Sequence, residues 1–151
     1  MANTYSQLYV QIIFAVKNRN VLIKECNRSE TERYIYGIVT NHKCKPLAIY
    51  CNPDHTHLLI GLHPSVAISE LVREIKASSS KFIKHKFECP SFSWQEGYAS
   101  FSYSRSQIDL VIKYIHNQPK HHTRRGFKEE FLEILQKLDI EYDEKYLFNW
   151  V

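Results

Sequence analysis

Hydrophobic positions along this chain recur with two periods, and the switches between them outline its elements. Tyr5 to Val16 (YSQLYVQIIFAV) is dense in β-branched and aromatic residues and predicts a strand. Asn27-Arg28-Ser29-Glu30 has the polar character of a helix start. Tyr34, Ile35, Ile38 and Val39 then form an apolar stripe at helical spacing that stops near Asn41. Pro46 to Cys51 (PLAIYC) predicts a short buried strand, and Asn52-Pro53-Asp54 a turn. From His55 the period is two: Thr56, Leu58, Ile60 and Leu62 fall on one face, and His55, His57, Leu59 and Gly61 on the other. A second helix carries Ile68, Leu71, Val72, Ile75, Phe82 and Ile83 as its stripe, with lysines gathered towards its C-terminal end, where the helix dipole favours them. Phe92 to Ser104 predicts a bent strand or hairpin about Gly97. Ser106 can cap a third helix with Ile108, Val111, Ile112 and Ile115 on its buried side, and Pro119 ends or kinks it. A last helix is predicted from Phe127 to about Leu138.

Strand, helix, strand, strand, helix, strand is the ferredoxin-like β-α-β-β-α-β order. The expected fold class is therefore α+β, an antiparallel sheet with extra C-terminal helices. Two helices would cover one sheet face and leave the other for a site or a partner. The 151 residues suit one domain, 1–151, with a core of ordinary size. Hydrophobic content of 44% and charged content of 24% are those of a globular protein, which excludes the disordered and fibrous classes. No apolar run approaches the roughly 18 residues of a membrane span. Cys26, Cys44, Cys51 and Cys89 form no C-x-x-C pair, and with no signal peptide in view they are expected to be reduced thiols of a cytoplasmic protein. The net charge of +4 favours an anionic partner, though only weakly.

Chemistry enters at two places. His55 and His57, two apart on a strand, point the same way and make a ready pair of metal ligands; a solvated polar sheet face is the plainer reading of the same spacing. Two imidazoles leave a metal incompletely coordinated, so a third ligand must come from elsewhere. Tyr114 and Gln118, four apart on a predicted helix, lie about 40° from each other around its axis, on one flank of the stripe. Gln118 is the candidate third ligand; His121 and His122 are read instead as phosphate contacts or plain surface, because Pro119 breaks the helix before them. Tyr114 is either a boundary tyrosine with its hydroxyl in water or a nucleophile. A metal pair with a phenol on a separate element suggests covalent phosphoryl transfer on a nucleic acid. Lys76, Lys81 and Lys84 on the second helix, with Lys120, Arg124 and Arg125, are candidate phosphate contacts; a solvated charged face accounts for them about as well.

Taken together, the opening aromatic strand, Asp54-His55-Thr56-His57-Leu58-Leu59, Trp94-Gln95-Glu96-Gly97-Tyr98, Tyr114-Ile115-His116-Asn117-Gln118, His121-His122 and Phe127-Lys128-Glu129-Glu130-Phe131 resemble the IS200/IS605-family transposases. These are single-tyrosine members of the His-hydrophobic-His nucleases. Thr56 departs from the usual bulky hydrophobic residue between the histidines, yet a β-branched threonine suits a strand. The resemblance implies a DNA transposase in which His55, His57 and Gln118 hold one divalent ion, Mg²⁺ or Mn²⁺. Tyr114 would cut single-stranded DNA to leave a 5′-phosphotyrosine and a free 3′-hydroxyl. By ligand softness two imidazoles suit Mn²⁺, Zn²⁺ or Ni²⁺ better than Mg²⁺. The resemblance further implies hairpin element ends as the DNA partner and a homodimer in which each tyrosine helix serves the partner's histidines. Two rivals share the pattern. One is a domesticated nicking enzyme. The other is a non-catalytic nucleic-acid-binding module, which would carry an aromatic-rich motif where this chain has His-Thr-His.

Overall fold

The computed structural model describes residues 4–122 and 126–143. Four strands form one antiparallel sheet: β1 (Tyr9–Ala15), β2 (Lys45–Cys51), β3 (His55–Gly61) and β4 (Ala99–Tyr103), in the spatial order β2-β3-β1-β4. Helix α1 (Glu25–Asn41) connects β1 to β2, and α2 (Ile68–Lys86) connects β3 to β4. This is the ferredoxin-like arrangement that the periodicity predicts. Three more helices follow: α3 (Ile108–His116), α4 (Gln118–His122) and α5 (Phe127–Lys137).

The main core lies between the sheet and the first two helices. Val10, Ile12 and Phe14 of β1 and Leu58 and Ile60 of β3 meet Ile35 and Val39 of α1 and Leu71, Val72, Ile75 and Ile83 of α2. Alternation along each strand sends the intervening residues to the opposite face. That second face is not left open, as the sequence suggested. Ile108, Val111 and Ile115 of α3 cover Ala48 and Leu59 near the β2 edge. Phe127, Phe131 and Leu135 of α5 cover Ile13, Ala15 and Phe101 towards β4. The near-continuous burial of β1 and β3 follows from this double coverage.

Local boundaries differ from the predicted ones for identifiable reasons. Helix α1 begins at Glu25, two residues early, and Arg28 pairs with both Glu25 and Glu32 along its first turns. The turn before α3 is capped from Ser104 rather than Ser106: the Gln107 side-chain oxygen accepts from the Ser104 backbone N–H at 3.0 Å. Between α2 and β4 the chain is pinned by Trp94, which packs edge-on against Phe14 and donates its indole N–H to Ser79 Oγ at 2.9 Å. The turn that follows needs Gly97, whose φ of 86° side chains rarely tolerate. No helix among the described residues is long and apolar enough to cross a membrane.

Candidate active site

Strand β3 delivers the histidines as a local consequence of its pleat. His55 is paired with Ala15 and His57 with Ile13 of β1, so both rings project from the second face, 5.2 Å apart between centroids. Thr56 points the other way, into the main core beside its β2 partner Cys51, which suits a small β-branched residue. Helices α3 and α5 close over the rings, leaving both histidines about 1% exposed or less.

A carboxylate that the sequence did not single out completes the cluster. Glu130 of α5, wholly buried, places Oε1 at 3.1 Å from His57 Nε2 and 3.5 Å from His55 Nε2. The donor atoms of His55, His57 and Glu130 lie within 4.8 Å of one another. Two imidazoles and one carboxylate, converging and shielded from water, are an ordinary donor set for a divalent transition ion. The chemistry of these residues therefore fits a metal. The signal for Glu130 was in the sequence: it sits three residues after Phe127 and one before Phe131, on the apolar stripe, where an acidic residue is rarely fully buried without a partner.

Tyr114 and Gln118 reach the same cluster. The Tyr114 hydroxyl donates to Glu130 Oε2, and its ring lies 5.8 Å from that of His57 in the same chain. Gln118 is wholly buried; its amide nitrogen donates to Glu130 Oε2 at 3.3 Å, and its oxygen accepts from Asn52 Nδ2 at 3.0 Å. Tyr114 and Gln118 do not share one continuous helix, however. Helix α3 ends at His116, Asn117 interrupts it, and α4 restarts at Gln118 with Pro119 in its first turn, where proline costs no hydrogen bond.

Around the donors lies an outer layer. His55 Nδ1 meets Asp54 Oδ1 at 2.7 Å, and Asp54 Oδ2 accepts from Arg19 at 2.9 Å. Arg19 is brought there by a turn in which Asn18 and Arg19 both have left-handed φ values, 58° and 54°, and its guanidinium also lies over the Phe127 ring. Phe127 in turn stacks on His55 at 3.9 Å. Burial works against charge on both partners of the Asp54–His55 pair. Their hydrogen bond overrides it: with Arg19 it holds the Asp54 carboxyl at about 2, and with Glu130 it raises His55 above the usual histidine range. His57 Nδ1 is held by the Gln11 amide nitrogen at 3.0 Å, and Gln11 Oε1 accepts from the Tyr103 hydroxyl at 2.7 Å. Such outer contacts fix ring orientation, and mutating them typically lowers metal affinity about 10–100-fold.

The candidate DNA contacts are more scattered. Lys81 and Lys84 are exposed, but α2 packs on the sheet face opposite the histidines. Lys76 turns its ammonium to the carbonyls of Gln95 and Gly97. Lys120 is exposed on α4, two residues from Gln118. Arg124 and Arg125 lie outside the described residues, as do the side chains of His121 and His122.

The sequence pattern of the family described as "Transposase IS200 like" matches residues 4–118. The chain belongs to that family. IS200-like transposases are single-tyrosine nucleases that act on single-stranded DNA with the assistance of a metal, and the His55–His57–Glu130 cluster of this chain is able to hold a divalent ion. Solved structures share the fold of this IS200-like chain. A candidate transposase from Deinococcus radiodurans R1 is 23% identical, with a TM-score of 0.63 over 77% of this chain and 94% of its own. A REP-associated tyrosine transposase bound to a REP hairpin is 17% identical, with a TM-score of 0.60 over 80% of this chain and 72% of its own. None of the curated proteins matches the sequence.

Proposed function

We propose that this IS200-like protein cleaves and rejoins single-stranded DNA at hairpin element ends, with Tyr114 as nucleophile and His55, His57 and Glu130 as ligands of one divalent ion, Mn²⁺ or Mg²⁺. The observation that carries the reading is the convergence of the Tyr114 hydroxyl on the same carboxylate that faces both imidazoles. Gln118, the ligand expected from the resemblance, lies beside the same cluster, with its amide nitrogen 3.3 Å from Glu130 Oε2, and stays a candidate for the same ion. When bound, the ion would polarise the scissile phosphate and stabilise charge on it.

The remaining steps belong to side chains. The phenol of tyrosine ordinarily loses its proton near pH 10, so it needs an acceptor at neutral pH. Glu130 Oε2 is that acceptor. The Tyr114 oxygen then forms a bond to phosphorus as the bond from phosphorus to the 3′-oxygen breaks. The 3′-oxygen leaves as a hydroxyl after taking up a proton, and the 5′-phosphate stays on the tyrosine. Another 3′-hydroxyl can reverse the step and reseal a strand, so the reaction needs no nucleotide cofactor. Asp54 and Gln11 keep the two rings in place throughout.

The protein is proposed to work in the cytoplasm as a homodimer. Among the described residues the sheet ends in two unpaired edges, β2 and β4, which invite pairing. The helix exchange implied by the resemblance is not needed to build the site, because Tyr114 stands beside the histidines of its own chain. The test is to incubate the protein and Mn²⁺ with a single strand labelled at the phosphate 5′ to the cut, then map the adduct by mass spectrometry. A labelled adduct on Tyr114 is expected, with none from Tyr114→Phe or from the His55→Ala/His57→Ala variant. An adduct on another tyrosine, or an undiminished one from Tyr114→Phe, would refute the assignment.

A further inference from the structure

The second face of the sheet is covered in two separate pieces, and the gap between them is a cavity. Helix α3 packs its own apolar cluster near β2, and α5 packs another near β4; among the described residues Tyr103 alone borders both. Between them lies a cavity of about 220 Å³ walled by Leu110, Val111 and Tyr114 of α3, Ile134 of α5, and Gln11 and Tyr103 of the sheet. We infer that this cavity receives one nucleobase of the DNA strand, the base flanking the phosphate that Tyr114 attacks. The inference rests on the nuclease reading above and adds to it a site for base recognition.

Size, chemistry and position each support that occupant. The cavity is smaller than the ~300–1,000 Å³ of pockets for drug-sized ligands, which suits one flat heteroaromatic ring. Its walls are mostly apolar and include two tyrosine rings, the surface on which bases stack. The polar groups are few and can meet a base edge only with what their own contacts leave over: the Tyr103 oxygen, whose hydrogen goes to Gln11, and the Gln107 amide nitrogen, whose oxygen caps the turn at Ser104. Lys137 at the rim supplies a cation for the backbone. Continuity with the reacting centre decides between a base and any other flat ligand. Tyr114 contributes to the wall of this cavity while its hydroxyl is committed to Glu130 in the metal cluster. A phosphate at that hydroxyl therefore carries its neighbouring base to within one tyrosine ring of the cavity. Leu110, 70% exposed, is a large apolar residue left at the surface of α3, and a base entering here would cover it.

The test separates base binding from cleavage. Methyl NMR spectra of the full-length protein would be recorded during titration with each of the four deoxynucleoside 5′-monophosphates, and with deoxyribose 5-phosphate as the base-free control. Shifts are expected at the methyls of Leu110, Val111 and Ile134 with at least one nucleotide and not with the control. Leu110→Glu, on the exposed side of α3, should weaken that binding about tenfold, the order of one lost stacking contact. Circular dichroism and one-dimensional spectra establish that the variant is folded; Leu110→Ala, with the same expected direction, replaces it otherwise. A strand-cleavage assay with an abasic site on either side of the cut supplies the second readout, with one of the two positions expected to raise KM about tenfold. Equal shifts with deoxyribose 5-phosphate, or no methyl shift with any nucleotide at its solubility limit, would overturn the inference while leaving the nuclease reading intact. Methyl shifts without cleavage of any strand would overturn the nuclease reading and confine the cavity to base binding.

Discussion

At the scale of single residues, the site turns on which side chain is the third donor. Both Glu130 and Gln118 are wholly buried, and Glu130 faces both imidazoles, at 3.5 and 3.1 Å. A carboxylate also brings the negative charge that a divalent cation needs in a dry setting, whereas an amide brings only a dipole. Glu130→Ala is therefore expected to weaken Mn²⁺ binding by at least about 100-fold, and Gln118→Ala by about tenfold, the usual size of an outer-layer effect. Isothermal calorimetry with Mn²⁺ reads both. A larger loss in Gln118→Ala than in Glu130→Ala would reverse the assignment. Both changes should leave the main core intact, because that core lies on the opposite face of the sheet.

At the scale of elements, the passage from α2 to β4 is held by Lys76 as much as by Trp94. Burial holds the Lys76 ammonium at about 8, against 10.5 ordinarily, with Glu96 opposing the shift. The sign follows from proton counting. Between about pH 8 and 10.5 the unfolded chain binds a proton that the fold has already released, so folding stability rises with pH across that window. The gain has an upper bound of about 3 kcal/mol, reduced to about 1 kcal/mol because the half-buried side chain is screened by solvent. Urea unfolding at pH 7.5 and pH 9.5 should show this rise in the wild type relative to Lys76→Met. Parallel pH profiles for the two proteins would show that Lys76 is solvated like an ordinary surface lysine. The same ammonium, a candidate phosphate contact from the sequence, donates to the carbonyls of Gln95 and Gly97.

At the scale of the whole molecule, the question is whose tyrosine serves whose histidines. Helix α3 buries Ile108, Val111 and Ile115 against Ala48 and Leu59 of its own sheet, and from there the Tyr114 hydroxyl reaches Glu130. Withdrawing it would expose those three residues at about 1.5–3 kcal/mol each. Mixing Tyr114→Phe subunits with His55→Ala/His57→Ala subunits is therefore expected to restore no cleavage, since every site built within one chain lacks either the tyrosine or the histidines. Recovery of adduct in the mixture, read on the same labelled strand, would show instead that the helices exchange between partners.

What the sequence determined by itself is whatever short-range periodicity controls. The alternation from His55 to Gly61 put both imidazoles on one face, because a strand's period of two needs no partner to be read. The order of strands and helices led to the ferredoxin-like sheet, and the motifs led to the family. Tyr114 with Gln118 was legible as a spacing, although Asn117 breaks the helix between them. Only the tertiary structure decided the rest. Glu130 lies 73 residues from His57 along the chain. Its role depends on how α5 docks, which is set by Phe127 and Phe131 finding Ile13, Ala15 and Phe101 across the sheet. The open second face was predicted from the count of helices in the repeat, and α3 and α5 filled it because Leu59, Ala48 and their neighbours are apolar on that side too. The stripe that holds Glu130 was readable as a helical period, but which surface it meets is a sum of many weak, long-range contacts that the period does not encode.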